Sequence, residues 1–454
     1  MIPRLPTKDE LRQLLRLATP MVLIQVGMMS MGVVDTLIVG HLSPQALAAV
    51  ALGNLYFFGG AILAIGILMV LDPIVSQAVG AGDHAAISRG IQRGIVLAAI
   101  LSVPLSLLML PAPLLFTGTG QPTEVIPFAT SYCWWLIPGI PPFLLFVVIR
   151  QSLQAMHVTG AILWSIVAAN LANAALNFIL IFGMFGFQPH GVIGSAWATS
   201  ISRWLMVAML LLLAWPRLRA YLRPVLPETW RWAPLRRMLA IGIPIGTMML
   251  LEFAAFAAIA LLMGHLGTVQ VAGHQVAINL ASLTFMVPLG VGSAAAVLVG
   301  NAVGRGDAGA ARRGARTALV TGAAFMSITA LLFLCFPGAL ARAYTPDAAV
   351  IAVAASLIPI AGIFQVFDGL QAVGAGILRG LGDTRVPMLI NVFGFWCCGM
   401  PVSVYLGFHA GWGPRGLWWG FVAGLGSVAV LLLLRARTRL RRDLTRVQVE
   451  AVQA

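Results

Sequence analysis

Charge is what this sequence has least of. Only 9% of its 454 residues are Asp, Glu, Lys or Arg, where a water-soluble domain carries about 25%. With 60% hydrophobic residues and a mean hydropathy of +0.95, the chain belongs among polytopic membrane proteins, with little length left for a soluble domain. Lysine is almost missing: Lys8 is the single lysine among 28 basic residues. That leaves no Gly-rich phosphate loop closed by Lys, and so no basis for ATP hydrolysis as a driving force. Cysteine is equally scarce. Cys133, Cys335, Cys397 and Cys398 all lie in apolar runs, without metal-ligand spacing or a disulfide framework. No nucleophile–base pair sits on a polar loop, so no enzymatic activity is expected.

What is present is apolar length. Runs of about 20 residues recur, broken at Gly, Pro and Arg. Twelve are counted, centred near Met28, Ala61, Val103, Phe143, Ala169, Val207, Leu250, Thr284, Thr329, Gly362, Phe395 and Ala423. Polar and apolar residues do not alternate within them, which favours helices over a barrel. The expected fold is an all-α polytopic membrane protein with twelve transmembrane helices. The first run is too long for a signal peptide, and Asp35 lies past any sensible cleavage point.

The net charge of +14 is a topology signal. With twelve helices and both ends on one side, the basic residues crowd that side: Arg4, Lys8, Arg12 and Arg16, Arg89 and Arg93, Arg150, the cluster from Arg217 to Arg237, Arg305 to Arg316, Arg379 and Arg385, and the arginines from Arg435 to Arg446. Arg342 and Arg415 fall on the other side, and Arg203 inside the sixth helix. By the positive-inside rule both termini are cytoplasmic, and the basic tail is expected against anionic lipid headgroups. A nucleic-acid partner is not expected, because no aromatic residues interleave with those arginines.

The chain also repeats itself at an offset of about 224 residues. Gly40-His41-Leu42 returns as Gly264-His265-Leu266, Pro20 as Pro244, Asn54-Leu55 as Asn279-Leu280, and Leu136-Ile137-Pro138 as Leu357-Ile358-Pro359. The turn Ala78-Val79-Gly80-Ala81-Gly82-Asp83 returns as Ala302-Val303-Gly304-Arg305-Gly306-Asp307. An even number of helices per repeat makes the halves parallel repeats. Two six-helix lobes are therefore expected, at 1–220 and 238–436, with a Pro-containing cytoplasmic linker at 221–237 and a basic tail at 437–454. Pro20 and Pro244, at matching places in the first helix of each lobe, are candidate hinges.

Three acids interrupt the apolar runs: Asp35, Glu252 and Asp368. An ionised carboxylate at the centre of a bilayer costs at least about 2.5 kcal/mol, and almost no base lies at the same depth to pair with it. Ion or proton handling is the reading that explains their presence. The repeat does not copy them: Asp35 aligns with Ile259, and Glu252 with Met28. The two lobes diverge where the chemistry sits. Asp72, before Pro73 near the cytoplasmic end of the second helix, reads as structural and paired with a loop arginine. His41 and His265 read as repeat architecture.

Several segments carry a resemblance to a known family: Val34-Asp35-Thr36-Leu37-Ile38-Val39-Gly40; Asn173-Ala174-Ala175-Leu176-Asn177 with Ile181-Phe182-Gly183; Gly264-His265 through His274-Gln275-Val276-Ala277-Ile278-Asn279; Phe285 to Gly290; and Phe367-Asp368 with Leu378-Arg379-Gly380. The chain resembles multidrug and toxic compound extrusion (MATE) transporters, of the NorM-type bacterial branch, over essentially its whole length. The resemblance implies an inner-membrane antiporter that exports amphipathic, mostly cationic drugs in exchange for Na⁺ or H⁺, by alternating access and without a cofactor. It carries Asp35, Asn173, Asn177 and Thr199 over as one polar cluster, and Glu252 with Asp368 as an acidic pair. Na⁺ is a possible ligand of either. Phe364 stands where the branch often has Tyr, which removes a phenolic oxygen, and Leu298 where relatives often have Arg.

The residues themselves fit this reading. Asn173 and Asn177 share a helix face and can offer carbonyl oxygens to a hard cation, or act as glue between helices. Met28 and Met31 lie near Asp35, Met248 and Phe256 near Glu252, and Phe364 and Gln371 near Asp368. With Gln275 these make a candidate cavity for a greasy cation; ordinary packing is the plainer reading for any one of them. The alternative function is a flippase or exporter of a lipid-linked or polysaccharide precursor. The expected partners are small organic cations and membrane lipids, and a monomer is expected.

Overall fold

The structure, a computed structural model, describes residues 5–442 and 444–450. Arg4 and the last four residues of the basic tail lie outside the described residues. The described chain is all-α, with no strand among its described residues, and twelve helices are long and apolar enough to cross a membrane. They are α1 (Lys8–Gly40), α2 (Pro44–Gly80), α3 (His84–Met109), α4 (Ile126–Ala155), α5 (Gly160–Phe182), α6 (Gly191–Leu222), α7 (Trp232–Leu266), α8 (Thr268–Gly304), α9 (Ala308–Cys335), α10 (Ala348–Gly380), α11 (Arg385–His409) and α12 (Pro414–Arg441). Each centre expected from the sequence falls inside one of them.

The repeat extends to single hydrogen bonds. After α2, Ala81 N–H donates to the Gln77 carbonyl and Asp83 N–H to that of Ala78; after α8, Arg305 donates to Asn301 and Asp307 to Ala302. The chain then turns at Gly82 (φ 68°) and Gly306 (φ 72°), a left-handed conformation that glycine adopts without steric cost. Asp83 and Asp307 cap the next helix, their carboxylates accepting from Ala86 N–H (2.9 Å) and Ala310 N–H (2.8 Å). A helix end thus hands over to the next helix start with its backbone groups satisfied.

The helices form two compact units. The N-unit spans 23–246 with the tail from Gln448; the C-unit spans the chain up to Val22 and 247–447. Both boundaries differ from those read in the sequence, which kept each lobe continuous. They fall inside α1 and α7, at positions 224 residues apart, the repeat offset. Close packing explains both. In the C-unit a Cβ on Gly290 of α8 would meet the Val22 backbone, so α1 lies directly against α8. Nearby Glu10 takes a hydrogen bond from Arg316 (2.9 Å). In the N-unit Gly242 and Gly246 of α7 bring backbone against the Leu63 and Ile67 carbonyls of α2. Hydropathy registers one apolar helix in each case and carries no sign of which neighbours its two ends take.

Within the C-unit α8 and α10 touch through small residues. A Cβ on Gly376 would collide with the Gly292 carbonyl, and one on Gly380 would lie 2.5 Å from that of Ala296. Such contacts replace the hydrophobic driving force that lipid does not supply. Helix α11 is π-helical over Phe393–Gly399 and Tyr405–His409.

The basic residues are less uniformly in loops than the sequence reading has them. Arg93, Arg150 and Arg379 are buried on helices. The end of α12 and part of the basic tail engage protein: Arg435 and Arg439 pair with Asp383 (2.8 and 3.3 Å), and Glu450 pairs with Arg89 (2.6 Å).

Candidate functional site

Each unit holds one polar cluster inside its apolar packing. In the N-unit Asp35 of α1 is buried among Asn173 and Asn177 of α5 and Thr199 of α6. Asn177 Nδ2 donates to Asp35 Oδ1 at 2.7 Å, and Thr199 Oγ1 donates to Asp35 Oδ2 at 2.9 Å. Asn177 Nδ2 also reaches the Asn173 carbonyl (2.9 Å), the i−4 contact that a shared helix face predicts. The four residues singled out from sequence therefore converge. Asn177 Oδ1 and both polar atoms of the Asn173 amide have no hydrogen-bond partner among the described residues. Buried carbonyl oxygens left over beside a carboxylate suit a hard cation.

Two neighbours escaped the sequence reading. Asn170, one turn before Asn173, ties α5 to α1 through the Gly27 carbonyl (3.0 Å). Its signal was there, as a third Asn on the same face. Tyr132 donates to Asn54 Oδ1 (3.2 Å). Arg203, the base inside α6, acts electrostatically on Asp35, and its guanidinium lies over the rings of Phe57 (4.3 Å) and Phe143 (4.9 Å), a placement that no linear spacing reveals. Asp72 is buried and acts electrostatically on Arg150. Arg150 Nη1 also donates to Gln25 Oε1 (3.1 Å). The arginine on which its charge acts thus sits on helix α4.

In the C-unit Glu252 of α7 and Asp368 of α10 are close enough for the glutamate's charge to act on the aspartate. Gln371 Nε2 donates to Glu252 Oε2 at 2.9 Å, and Asn391 Nδ2 of α11 donates to the same oxygen at 3.4 Å. Gln371, placed by sequence in a drug cavity, is thus a donor to the acid. Asn391 was missed, although an Asn in an apolar run was a legible signal. Gln365, also missed, is fully buried and accepts from Thr284 Oγ1 (2.9 Å).

The other proposed cavity residues separate. Phe364 is 1% exposed, packed on Trp418 (5.4 Å between centroids) and Phe421 (5.9 Å). Phe256 stacks on Phe421 at 4.6 Å, and Met248 is buried in the same core. In this structure these three pack into the aromatic core of the C-unit, where stacked rings and a Met side chain gain dispersion energy from one another. Met28 and Met31 are half-buried against the N-unit core. Gln275 is exposed and donates to Asn279 Oδ1 (3.3 Å). His274, its neighbour, is buried and accepts from Trp418 Nε1 (3.1 Å). Pro20 and Pro244 lie inside continuous helices, two residues before the unit boundaries. Among the described residues no cluster of three His, Cys, Asp or Glu forms a metal centre.

The MatE family model matches residues 20–179 and again 244–405. The chain belongs to the MatE family. The two MatE matches begin 224 residues apart, so the family unit is itself the repeat read from the sequence. Similar curated proteins include a probable multidrug resistance protein NorM of Bradyrhizobium diazoefficiens, 36% identical over 97% of this chain and 96% of its own length. A multidrug resistance protein NorM of Burkholderia vietnamiensis is 38% identical over 92% of each chain. Among solved structures, the eukaryotic MATE transporter AtDTX14 superposes with a TM-score of 0.87 over 95% of this chain and 98% of its own, at 24% identity; that likeness shows the two-lobe MATE fold.

Proposed function

We propose that this MatE protein exports amphipathic, mostly cationic organic compounds across the bacterial inner membrane, in exchange for Na⁺ or H⁺. The observation that carries the reading is a polar cluster inside the packing of each unit, built on carboxylates with no base within ion-pair distance among the described residues, Arg203 acting on Asp35 only from further away, and with unpaired oxygens beside them. A purely structural acid in a membrane would be neutralised by a base. An acid that exchanges a cation needs oxygens and no permanent counter-ion. The names of the NorM relatives support multidrug compounds as the cargo class.

The N-unit cluster of Asp35, Asn173, Asn177 and Thr199 and the C-unit pair of Glu252 and Asp368 carry the coupling ion. Exchange follows by competition: a drug cation and the coupling ion cannot both neutralise the same acid. No cofactor takes part. Pro20 and Pro244 act as hinges at the unit boundaries, the protein works as a monomer in contact with lipid, and both termini face the cytoplasm, as its arginine distribution supports.

The test is ethidium efflux from energised cells of a strain stripped of efflux pumps, at matched expression. The wild type should clear the dye, and Asp35→Asn and Asp368→Asn should each lose at least about tenfold in initial rate, the effect of about 1.4 kcal/mol on a barrier. No protection by the wild type against any organic cation sinks the reading; wild-type efflux by either variant removes that residue from it.

A further inference from the structure

The C-unit cluster contains a feature that its acids alone do not explain. A primary amide carries donors at one end and an acceptor at the other, and a half-turn about its terminal bond exchanges them. Gln371 and Asn391 both present the donor end to Glu252 Oε2. Their acceptor ends, Gln371 Oε1 and Asn391 Oδ1, are buried and have no partner among the described residues, and Asp368 Oδ1 is in the same condition. The three side chains are 4%, 0% and 6% exposed. Buried acceptors are ordinarily satisfied, and three in one cluster call for a ligand with positive charge.

The backbone fixes this arrangement. Asn391 lies two residues before the first π-helical stretch of α11. From there α11 is clasped to α7 at successive levels: Asn391 on Glu252, Trp396 Nε1 on the Leu251 carbonyl (3.2 Å), and Phe395 beside Phe256 (6.2 Å). Such π-turns often mark places where a helix re-aims a side chain for function.

We propose that Asn391 and Gln371 form an amide switch that gives the acidic pair its affinity for Na⁺. With no metal cation bound, their N–H ends hold the Glu252 carboxylate. When Na⁺ binds, the amides turn and their carbonyl oxygens join the carboxylates of Glu252 and Asp368, so that α7, α10 and α11 together supply four oxygen-bearing side chains to a hard cation. A proton needs no such shell, so the two amides act on metal-ion coupling in particular. The inference rests on the proposed role of this cluster in ion coupling and adds Asn391 as a residue that determines which ion is taken.

The experiment measures ²²Na⁺ binding to purified full-length protein in nanodiscs, with Asp35→Asn present throughout so that only the C-unit cluster is read. Asn391→Leu and Gln371→Leu should each weaken Na⁺ binding at least about tenfold, as expected for a lost ligand worth about 1.4 kcal/mol. Asn391→Ser, which keeps an oxygen, should recover part of that loss and shift the preference between Na⁺ and Li⁺, a readout that mere packing would not move. If Asn391→Leu does not fold, Asn391→Ser and Gln371→Leu decide. Unchanged Na⁺ affinity in the folded variants overturns the amide switch. So does absence of Na⁺ binding in the Asp35→Asn parent alongside proton-driven ethidium transport by the wild type, a result that leaves the export reading standing. Failure of the wild type to transport under either gradient overturns the export reading itself, and the switch with it.

Discussion

Asp35 has a donor on each carboxylate oxygen, whereas Asp368 keeps an oxygen with none. At the residue scale this separates the two clusters more clearly than their distance along the chain. Asn177 and Thr199 hold one acid in a fixed geometry; the other depends on what comes to it. Asp72 is different again, because its charge faces that of buried Arg150. Removing one of two opposite buried charges leaves the other less compensated, which destabilises the fold. Asp72→Asn should therefore lower the thermal unfolding midpoint and the yield in detergent, while the surviving molecules transport at most of the wild-type rate. Loss of transport per folded molecule would show that Asp72 belongs to the coupling machinery.

At the scale of elements, glycine placement on α10 makes a sharp pair of predictions. Gly376 meets the Gly292 carbonyl, whereas a Cβ on Gly374 would lie 3.6 Å from Leu432, an ordinary contact. Gly376→Ala should destabilise by about 1–3 kcal/mol through overpacking against backbone. Gly374→Ala should be neutral or stabilising by up to about 1 kcal/mol, since Ala is the better helix former. Thermal unfolding followed by size-exclusion chromatography distinguishes them. The cap of α9 responds to pH. The Ala310 N–H, with Arg313 nearby, holds the Asp307 carboxyl below its ordinary value. A depressed carboxyl contributes stability that is fully present above its unfolded-state value and is lost as pH falls through the folded value. The protection factors against hydrogen exchange at the first turn of α9, corrected for the slower intrinsic exchange in acid, should thus fall on acidification. In Asp307→Asn, which caps without titrating, that fall should vanish.

At the scale of the molecule, the unit boundaries inside α1 and α7 mean that neither sequence repeat contains all of its own unit. Splitting the chain in the loop after α6 leaves the N-terminal piece without the α7 residues that cover α2, and the C-terminal piece without the α1 residues that cover α8. Each piece alone should run as an aggregate on fluorescence-detected size exclusion, and co-expression should restore a monodisperse peak. A stable, monodisperse half made alone would mean that the exchanged segments contribute little to packing.

The sequence by itself determined the twelve helices, because hydropathy over about 20 residues is a one-dimensional property that the bilayer reads directly. It determined the duplication, since Pro20 and Pro244 or Asp83 and Asp307 recur in order. The N-unit cluster was legible through the resemblance of its motifs, while the residues alone gave only rare polar side chains in apolar runs, two of them on one helix face. Other features needed the tertiary structure. Asn391 is separated by 139 residues from Glu252, Arg203 by 146 from the Phe57 ring it covers, and Val22 by 268 from Gly290. No local period encodes such pairings. Phe364 and Phe256 show the same limit from the other side: their spacing placed them beside the acids, and packing against Trp418 and Phe421 turned them into core. Which way a side chain finally points depends on which helix comes to lie against it, and that is settled by volume and contact between distant segments.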